Sequence, residues 1–330
     1  MNKDELLRIV SEKADTTVLS FEERGPFGDA KYRGNFSGFI PASLIYRYRA
    51  KSVSEIFAGS GTTSDVCKCL NLPYIGIDLN PIPVRSDIVS MDILDYSEDL
   101  PDGFYTADLQ ILHPPYPSIN GVHYSDHMWK DTTGISKRDI QEMNWEKGMD
   151  AINKAVMRGF LAMPKGSYQA VVIGDVRRKI NGKSTFKSML ADLCIPGELE
   201  QLLVKMQHHT VSGRNNQYTK QRSFFLIEHE FIAVIKKPSG YEISYVVPKR
   251  YTSDIRDSVS SATWKDVVFA VLSNLGKEAS LEQIYEEIKG HKKTQNNPLN
   301  WKAKVRQVLQ QLGSSGLAIN TQRGYWAIAV

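Results

Sequence analysis

The chain has 330 residues, of which 42% are hydrophobic and 24% charged, the make-up of a globular protein with one large domain or two moderate ones. A net charge of +4 is compatible with nucleic-acid binding but does not argue for it, and no apolar run approaches a membrane span in length. Cys67, Cys69 and Cys194 give no disulfide framework and read as reduced thiols of a cytoplasmic protein, and no apolar signal core follows Met1 to Glu5.

Residues 4–14 read as a short polar helix, followed by a loop rich in Gly, Pro and charge near Arg24, Gly25 and Pro26. Residues 53–57 are strand-like, 64–70 helical, and 74–77 form a short strand ending in Asp78. Leu109–Leu112 is a strand ending at His113. Residues 145–163 have helical spacing, with Ile152, Val156 and Phe160 on one face, and 170–173 and 231–235 are further strands. Strands alternating with helices predict an α/β fold with a largely parallel sheet covered on both faces. Such sheets bind ligands at the carboxyl ends of their strands.

A break follows Lys236 and Lys237, and the Ser- and Thr-rich stretch 251–262 reads as a linker. Residues 263–330 form a second unit. Trp264–Leu275 is helical, and Ser280 caps a helix running to His291, with Gln283 as its capping-box partner. Asn300 caps a third helix, in which Trp301, Val305, Val308, Leu309 and Leu312 make one apolar stripe. Residues 317–320 and Tyr325–Ile328 flank a hairpin turn. Three helices and a hairpin predict a small winged helix-turn-helix domain.

Two strings carry the chemistry. Phe57-Ala58-Gly59-Ser60-Gly61-Thr62-Thr63 leaves the first strand of the sheet, and its glycines let the backbone approach a ligand closely. The third glycine of the dinucleotide fingerprint is missing, which disfavours NAD. Asp78, at the end of the next strand, can accept both hydroxyls of a ribose, and Asp92 lies where a third strand end would meet an adenine amino group. His113-Pro114-Pro115-Tyr116 follows Leu109–Leu112. Its prolines lock a rigid extended turn that holds an acceptor and an aromatic ring in fixed relation, and Tyr116 can stack on an extruded base.

These strings, with Tyr32-Arg33-Gly34-Asn35-Phe36-Ser37-Gly38-Phe39 before them and Phe225-Leu226-Ile227-Glu228-His229-Glu230-Phe231 after them, resemble the amino-directed DNA methyltransferases. The resemblance covers roughly residues 30–237 and includes the closing His-Glu strand of that family. It implies a Rossmann-like class I methyltransferase domain over residues 31–250, after an N-terminal helix and loop. It implies S-adenosylmethionine as cofactor, bound by Phe39, Phe57, Ala58, Gly59, Ser60, Gly61, Thr62, Thr63, Asp78, Leu79 and Asp92. The catalytic loop would be His113, Pro114, Pro115 and Tyr116, acting on adenine N6 or cytosine N4 of a flipped base in double-stranded DNA. A partner restriction endonuclease would fit such an enzyme.

The family usually carries Asp, Asn or Ser where this chain has His113. A neutral imidazole can still accept a hydrogen bond from an amino group, whereas a protonated one cannot, so the rate is expected to fall at low pH. Adenine N6 has the edge on family frequency alone. A methyltransferase for RNA or another substrate shares a similar loop, and a DNA-binding regulator that has kept an inactive fold is the alternative outside enzymes.

Residues 201–227 contain no acidic side chain. Lys205, His208, Arg214, Asn215, Asn216, Lys220 and Arg222 within them suit phosphate and base-edge contacts, or else a solvated loop. Lys302, Lys304 and Arg306 lie opposite the apolar stripe of the third C-terminal helix, as a recognition helix or a protein-interaction module requires. His123 and His127 could pair on a helix, but no third ligand is evident and no metal site is expected.

Overall fold

The computed structural model describes residues 1–117, 129, 134–180, 183–208, 224–238, 262–276 and 278–329. The chain enters through helix α1 (Lys3–Lys13), capped by the Asn2 side chain on the Glu5 amide, and strand β1 (Val18–Leu19). Helix α2 (Phe39–Tyr48) then leads to β2 (Val53–Ile56), α3 (Thr62–Leu70), β3 (Tyr74–Asp78), β4 (Ile88–Ser90) and β5 (Leu109–Leu112). The second half of the sheet domain contains α4 (Trp145–Ala162), β6 (Tyr168–Ile180), β7 (Lys183–Ser188), β8 (Glu198–Met206) and β9 (His229–Lys236).

The strands join one sheet in the order β1-β8-β9-β6-β5-β2-β3-β4, with β7 paired to β6 as a hairpin. Pairs along the centre are parallel, while β9 runs antiparallel between β6 and β8. This is the expected Rossmann-like α/β architecture with a mostly parallel sheet. From β2 the chain builds outward through β3 and β4, then returns to β5 on the other side of β2. That reversal opens a crevice at the strand carboxyl ends. Because β9 is reversed, its first residues, His229 and Glu230, come to the same edge.

Every residue of β2 and β5 is buried, as expected for central strands covered on both faces. Alternate side chains feed two cores. Ile56, Leu112 and Val171 face α4, while Val53, Leu109 and Ile111 face α1, α2 and α3. Polar side chains among them bond to one another and to α4. Gln169 donates to Gln110 Oε1 at 2.8 Å and to the Val156 carbonyl of α4 at 2.9 Å. Gly159 lets α4 come this close, since a Cβ there would lie 2.1 Å from Gln110 Oε1.

The C-terminal unit comprises α5 (Trp264–Leu275), β10 (Ala279–Ser280), α6 (Leu281–Ile288), α7 (Lys292–Asn296), α8 (Trp301–Ser314), β11 (Ala318–Gln322) and β12 (Tyr325–Ile328). Its strands form an antiparallel sheet in the order β10-β12-β11. Ser280 and Gln283 form the expected capping box. The helix they start stops at Ile288, not His291, because Gly290 turns the chain at φ 93°. His291 caps α7 instead, its Nδ1 accepting from the Lys293 amide at 3.2 Å. Asn300 precedes α8 without a side-chain cap bond, and Val305, Val308, Leu309 and Leu312 are buried as the stripe requires.

This unit packs into the same apolar core as α4. Tyr105 Oη donates to Asp266 Oδ1 at 2.6 Å in a buried contact, and its ring meets Phe269 edge-on at 5.0 Å. Lys265 pairs with Asp102 at 2.6 Å beside them. No helix among the described residues is long and apolar enough to cross a membrane.

Candidate active site

The turns leaving β2, β3, β4 and β5 line one cavity of about 600 Å³, within the range of small-molecule and cofactor sites. After β2 the chain turns through Phe57 at φ 66° and Gly59 at φ 48°. A phenylalanine in the left-handed region is strained, and such strain gathers at functional sites. The turn is over-determined by its neighbours. The Ala58 amide donates to the Ile77 carbonyl at 3.1 Å, and the Gly59 amide to Asp78 Oδ2 at 2.8 Å. A Cβ at Gly59 would lie 3.3 Å from the Tyr32 ring, so glycine keeps this turn open toward the cavity.

Asp78 holds the two adjacent turns together. Its Oδ1 accepts from the Asn80 amide at 2.9 Å while Oδ2 takes Gly59. Burial raises its carboxyl above the ordinary value, and the two amides pull against that rise. Each carboxylate oxygen keeps a further acceptor position, and Asp78 and Leu79 both line the cavity.

Asp92 also lines it, but its carboxylate is already engaged. Oδ1 accepts from the Leu94 amide at 2.8 Å. Arg138 Nε lies 2.6 Å from Oδ2, off the direction of a hydrogen bond, so the contact is an ion pair. The acceptor expected for an adenine amino group is thus covered by a cation from the segment after the catalytic loop.

His113, Pro114, Pro115 and Tyr116 line the opposite wall. The His113 ring packs edge-on against Phe36 at 5.1 Å. Tyr116 Oη donates to Glu230 Oε1 at 2.5 Å, and His113 Nε2 lies 3.8 Å from the same oxygen. Lys205 pairs with the other oxygen, Oε2. Both members of that pair are buried, and they face each other across β8 and β9. Burial alone would raise the Glu230 carboxyl, but Lys205 and His113 outweigh it and hold the group well below the usual carboxylate range. Lys205, expected among the DNA contacts, is therefore an internal counter-ion.

Of the other expected site residues, Ala58, Ser60 and Thr62 line the cavity, whereas Phe39, Gly61 and Thr63 do not. Phe39 stacks on Phe21 at 5.2 Å in the core. Gly61, at φ 76°, begins α3 facing Arg85. Thr63 Oγ1 donates to buried Glu55 at 2.6 Å. Arg214, Asn215, Asn216, Lys220, Arg222, His123 and His127 lie outside the described residues. Among the described residues no group of three His, Cys, Asp or Glu could hold a metal. Lys302, Lys304 and Arg306 sit on α8. Lys302 lies over the Tyr285 and Trp301 rings at 5.0 and 5.7 Å, Lys304 donates to Gln307, and Arg306 donates to Tyr285 Oη at 3.0 Å.

Sequence reasoning assigned no role to residues from three further segments. Asn35 Oδ1 accepts from Ser60 Oγ at 3.1 Å and from Thr62, fastening the segment before α2 over the glycine turn. Arg138, Asp139 and Gln141 close the far side. Glu230 reaches the catalytic loop from β9, and the available signals were its His-Glu string and the Tyr32-to-Phe39 string that contains Asn35.

No protein-family model matches the chain, and no curated protein does. Solved structures similar to this chain include TrmN from Thermus thermophilus, at 14% identity and TM-score 0.35, covering 62% of this chain and 50% of that one. A SAM-dependent methyltransferase from Methanosarcina mazei has 13% identity and TM-score 0.32, covering 59% and 97%. A candidate DNA modification methylase, also from Thermus thermophilus, has 18% identity and TM-score 0.25, covering 43% and 47%. The chain thus spans about half the length of the TrmN and modification-methylase chains. Likeness of this strength leaves the function to be read from the site.

Proposed function

We propose that this chain is an S-adenosylmethionine-dependent methyltransferase acting on an exocyclic amino group of a base in double-stranded DNA, adenine N6 ahead of cytosine N4. One observation carries the reading. The Gly59 turn and the His113–Tyr116 loop leave adjacent parallel strands in register, Ile56 beside Leu112, and face each other across one cavity.

The residues fit the cofactor. The glycine turn offers backbone with no Cβ in the way, Asp78 offers carboxylate acceptors to ribose hydroxyls, and Phe57, Leu79 and Ile93 give apolar walls. When bound, S-adenosylmethionine supplies an electrophilic methyl group. The chain's own part is placement. Neutral His113 accepts a hydrogen bond from the target amino group and so aims its nitrogen lone pair. Pro114 and Pro115 keep that acceptor from drifting, and Tyr116 presents a flat face to a flipped base. Orientation of this kind supplies much of the rate, and no covalent link to the base is required.

The C-terminal unit reads as a winged helix whose α8 lays Lys302, Lys304 and Arg306 against DNA phosphate. Buried Cys67 and Cys194 as free thiols fit a cytoplasmic setting.

Single-molecule sequencing of DNA from an expressing strain tests the reading. Modified adenine or cytosine in a recurring motif supports it. Unmodified DNA with methylated RNA favours the RNA alternative, and neither modification in a strain producing cofactor-competent protein favours an inactive regulator.

A further inference from the structure

We propose that Glu230 is the positioning residue of the catalytic loop. Its carboxylate tethers the Tyr116 ring and sets His113 in the tautomer protonated on Nε2, which leaves Nδ1 as the acceptor. The use of that acceptor rests on the methyl-transfer reading, but the tautomer is a property of the protein alone.

The sheet builds this contact from three strands. β9 delivers Glu230 to the carboxyl edge because it runs against its neighbours. On one side Lys205 of β8 stands directly opposite, and on the other side Gly174 of β6 does. A Cβ at Gly174 would lie 2.9 Å from Tyr116 Oη and 3.2 Å from Glu230 Cγ. The missing side chain is the space through which the phenol reaches the carboxylate.

An ionised carboxylate can only accept hydrogen bonds. Oε2 is taken by Lys205, which keeps the group charged, and Oε1 receives Tyr116. The same Oε1 faces His113 Nε2 at 3.8 Å, too long for a good hydrogen bond but well within electrostatic reach. Among the described residues, the charged and titratable groups in contact with the imidazole or with its carboxylate neighbour are Glu230 from β9, Lys205 behind it on β8, and Tyr116 in its own loop, while Phe36 covers a further side. A negative oxygen on the Nε2 side favours a proton there, and a neutral ring has one proton, so Nδ1 is left bare. A carboxylate, amide or hydroxyl at this position would be an acceptor whatever its surroundings. A histidine is one only at the unprotonated nitrogen, and Glu230 selects which nitrogen that is.

Nitrogen-15 NMR on the full chain tests this without any substrate, above the pH range in which imidazole ionises, with the signal assigned by loss in His113→Asn. The expected wild-type spectrum shows a bound proton on Nε2 and a pyridine-like shift at Nδ1. Glu230→Gln should shift His113 toward a mixture of tautomers, while cofactor affinity changes less than about twofold and turnover falls by about 100-fold. Glu230→Gln leaves Lys205 buried without its counter-ion, so Lys205→Met/Glu230→Gln is measured beside it and should show the same mixture. A wild-type proton on Nδ1, or an unchanged tautomer in both variants, overturns the proposal. Either result can occur whether or not the chain methylates DNA, so the two ideas fail separately.

Discussion

Tyr116 and Glu230 lie 114 positions apart in the chain and 2.5 Å apart in space. The bond ties a proline-stiffened loop to a strand of the sheet, so the tip of the Tyr116 side chain is held by β9 as well as by its own loop. Functional groups held this way keep the geometry that orientation-dependent chemistry needs.

Asp78 is expected to carry the cofactor's ribose. Asp78→Ala should weaken S-adenosylmethionine binding by on the order of 1.5–3 kcal/mol for each charged hydrogen bond removed. Asp78→Asn, which keeps one acceptor for the turn amides, should bind more tightly than the alanine variant. Calorimetry on both proteins gives the comparison. Unchanged affinity in a folded Asp78→Ala protein removes the residue from the site.

The buried contact between Tyr105 and Asp266 makes the C-terminal unit part of the main core. Tyr105→Phe should destabilise the chain by about 1–3 kcal/mol, the cost of a buried acceptor losing its partner. A chain cut after residue 238 exposes Tyr105 and the rest of that seam and should unfold at lower temperature. Scanning calorimetry of the fragment decides this, and a melting point equal to that of the full chain would contradict it.

The basic face of α8 makes a prediction about salt. Changing Lys302, Lys304 and Arg306 to glutamine should weaken DNA binding and flatten its dependence on salt. The log–log slope should fall by about 0.9 for each phosphate that is no longer neutralised. Binding titrations across ionic strength measure it. A wild-type slope in a folded triple variant points to protein recruitment as the role of this face.

Glu55 ties stability to pH. It is buried in β2, with Thr63 and Tyr74 hydroxyls each 2.6 Å from its carboxyl oxygens. Burial pushes its carboxyl from 4.5 up to about 8, and the two hydroxyl bonds offset only part of that rise. An acid with a raised folded pKa stays protonated when folded. Its contribution is fully present below the unfolded value and is lost as pH rises through the folded one. Unfolding free energy should therefore fall between pH 4.5 and about 8, by on the order of a few kcal/mol. Glu55→Gln imitates the protonated form and should flatten the slope. Urea unfolding at a series of pH values tests this, and parallel slopes for the two proteins would refute it.

The strands at the site were legible because each ends in a residue with chemical meaning: Phe57 before glycines, Asp78, and His113 before prolines. The C-terminal helices were legible from their periodicity and from the Ser280 and Gln283 pair. Helix α2 was not, because it starts at Gly38 with no capping side chain, has Pro41 in its first turn, and shows little polar face. Strand β8 was missed because most of its residues are exposed, so it lacks the apolar run that marked the central strands. With β8 unseen, Lys205 read as a surface cation, since only the β8–β9 register places it against Glu230. Arg138 over Asp92 had no signal at all, because an ion pair between distant segments leaves no spacing to read.

The central claim is tested most directly by nucleoside mass spectrometry of DNA incubated with the purified chain and S-adenosylmethionine labelled in its methyl group. His113→Ala and His113→Asn are run beside the wild type. The expected result is labelled N6-methyladenine, or N4-methylcytosine, from the wild type. His113→Ala should lose most turnover while still binding cofactor, and His113→Asn should keep part of it. An absence of labelled base in DNA with the wild type, or full activity in His113→Ala, would contradict the claim that this cavity methylates a base amino group oriented by His113.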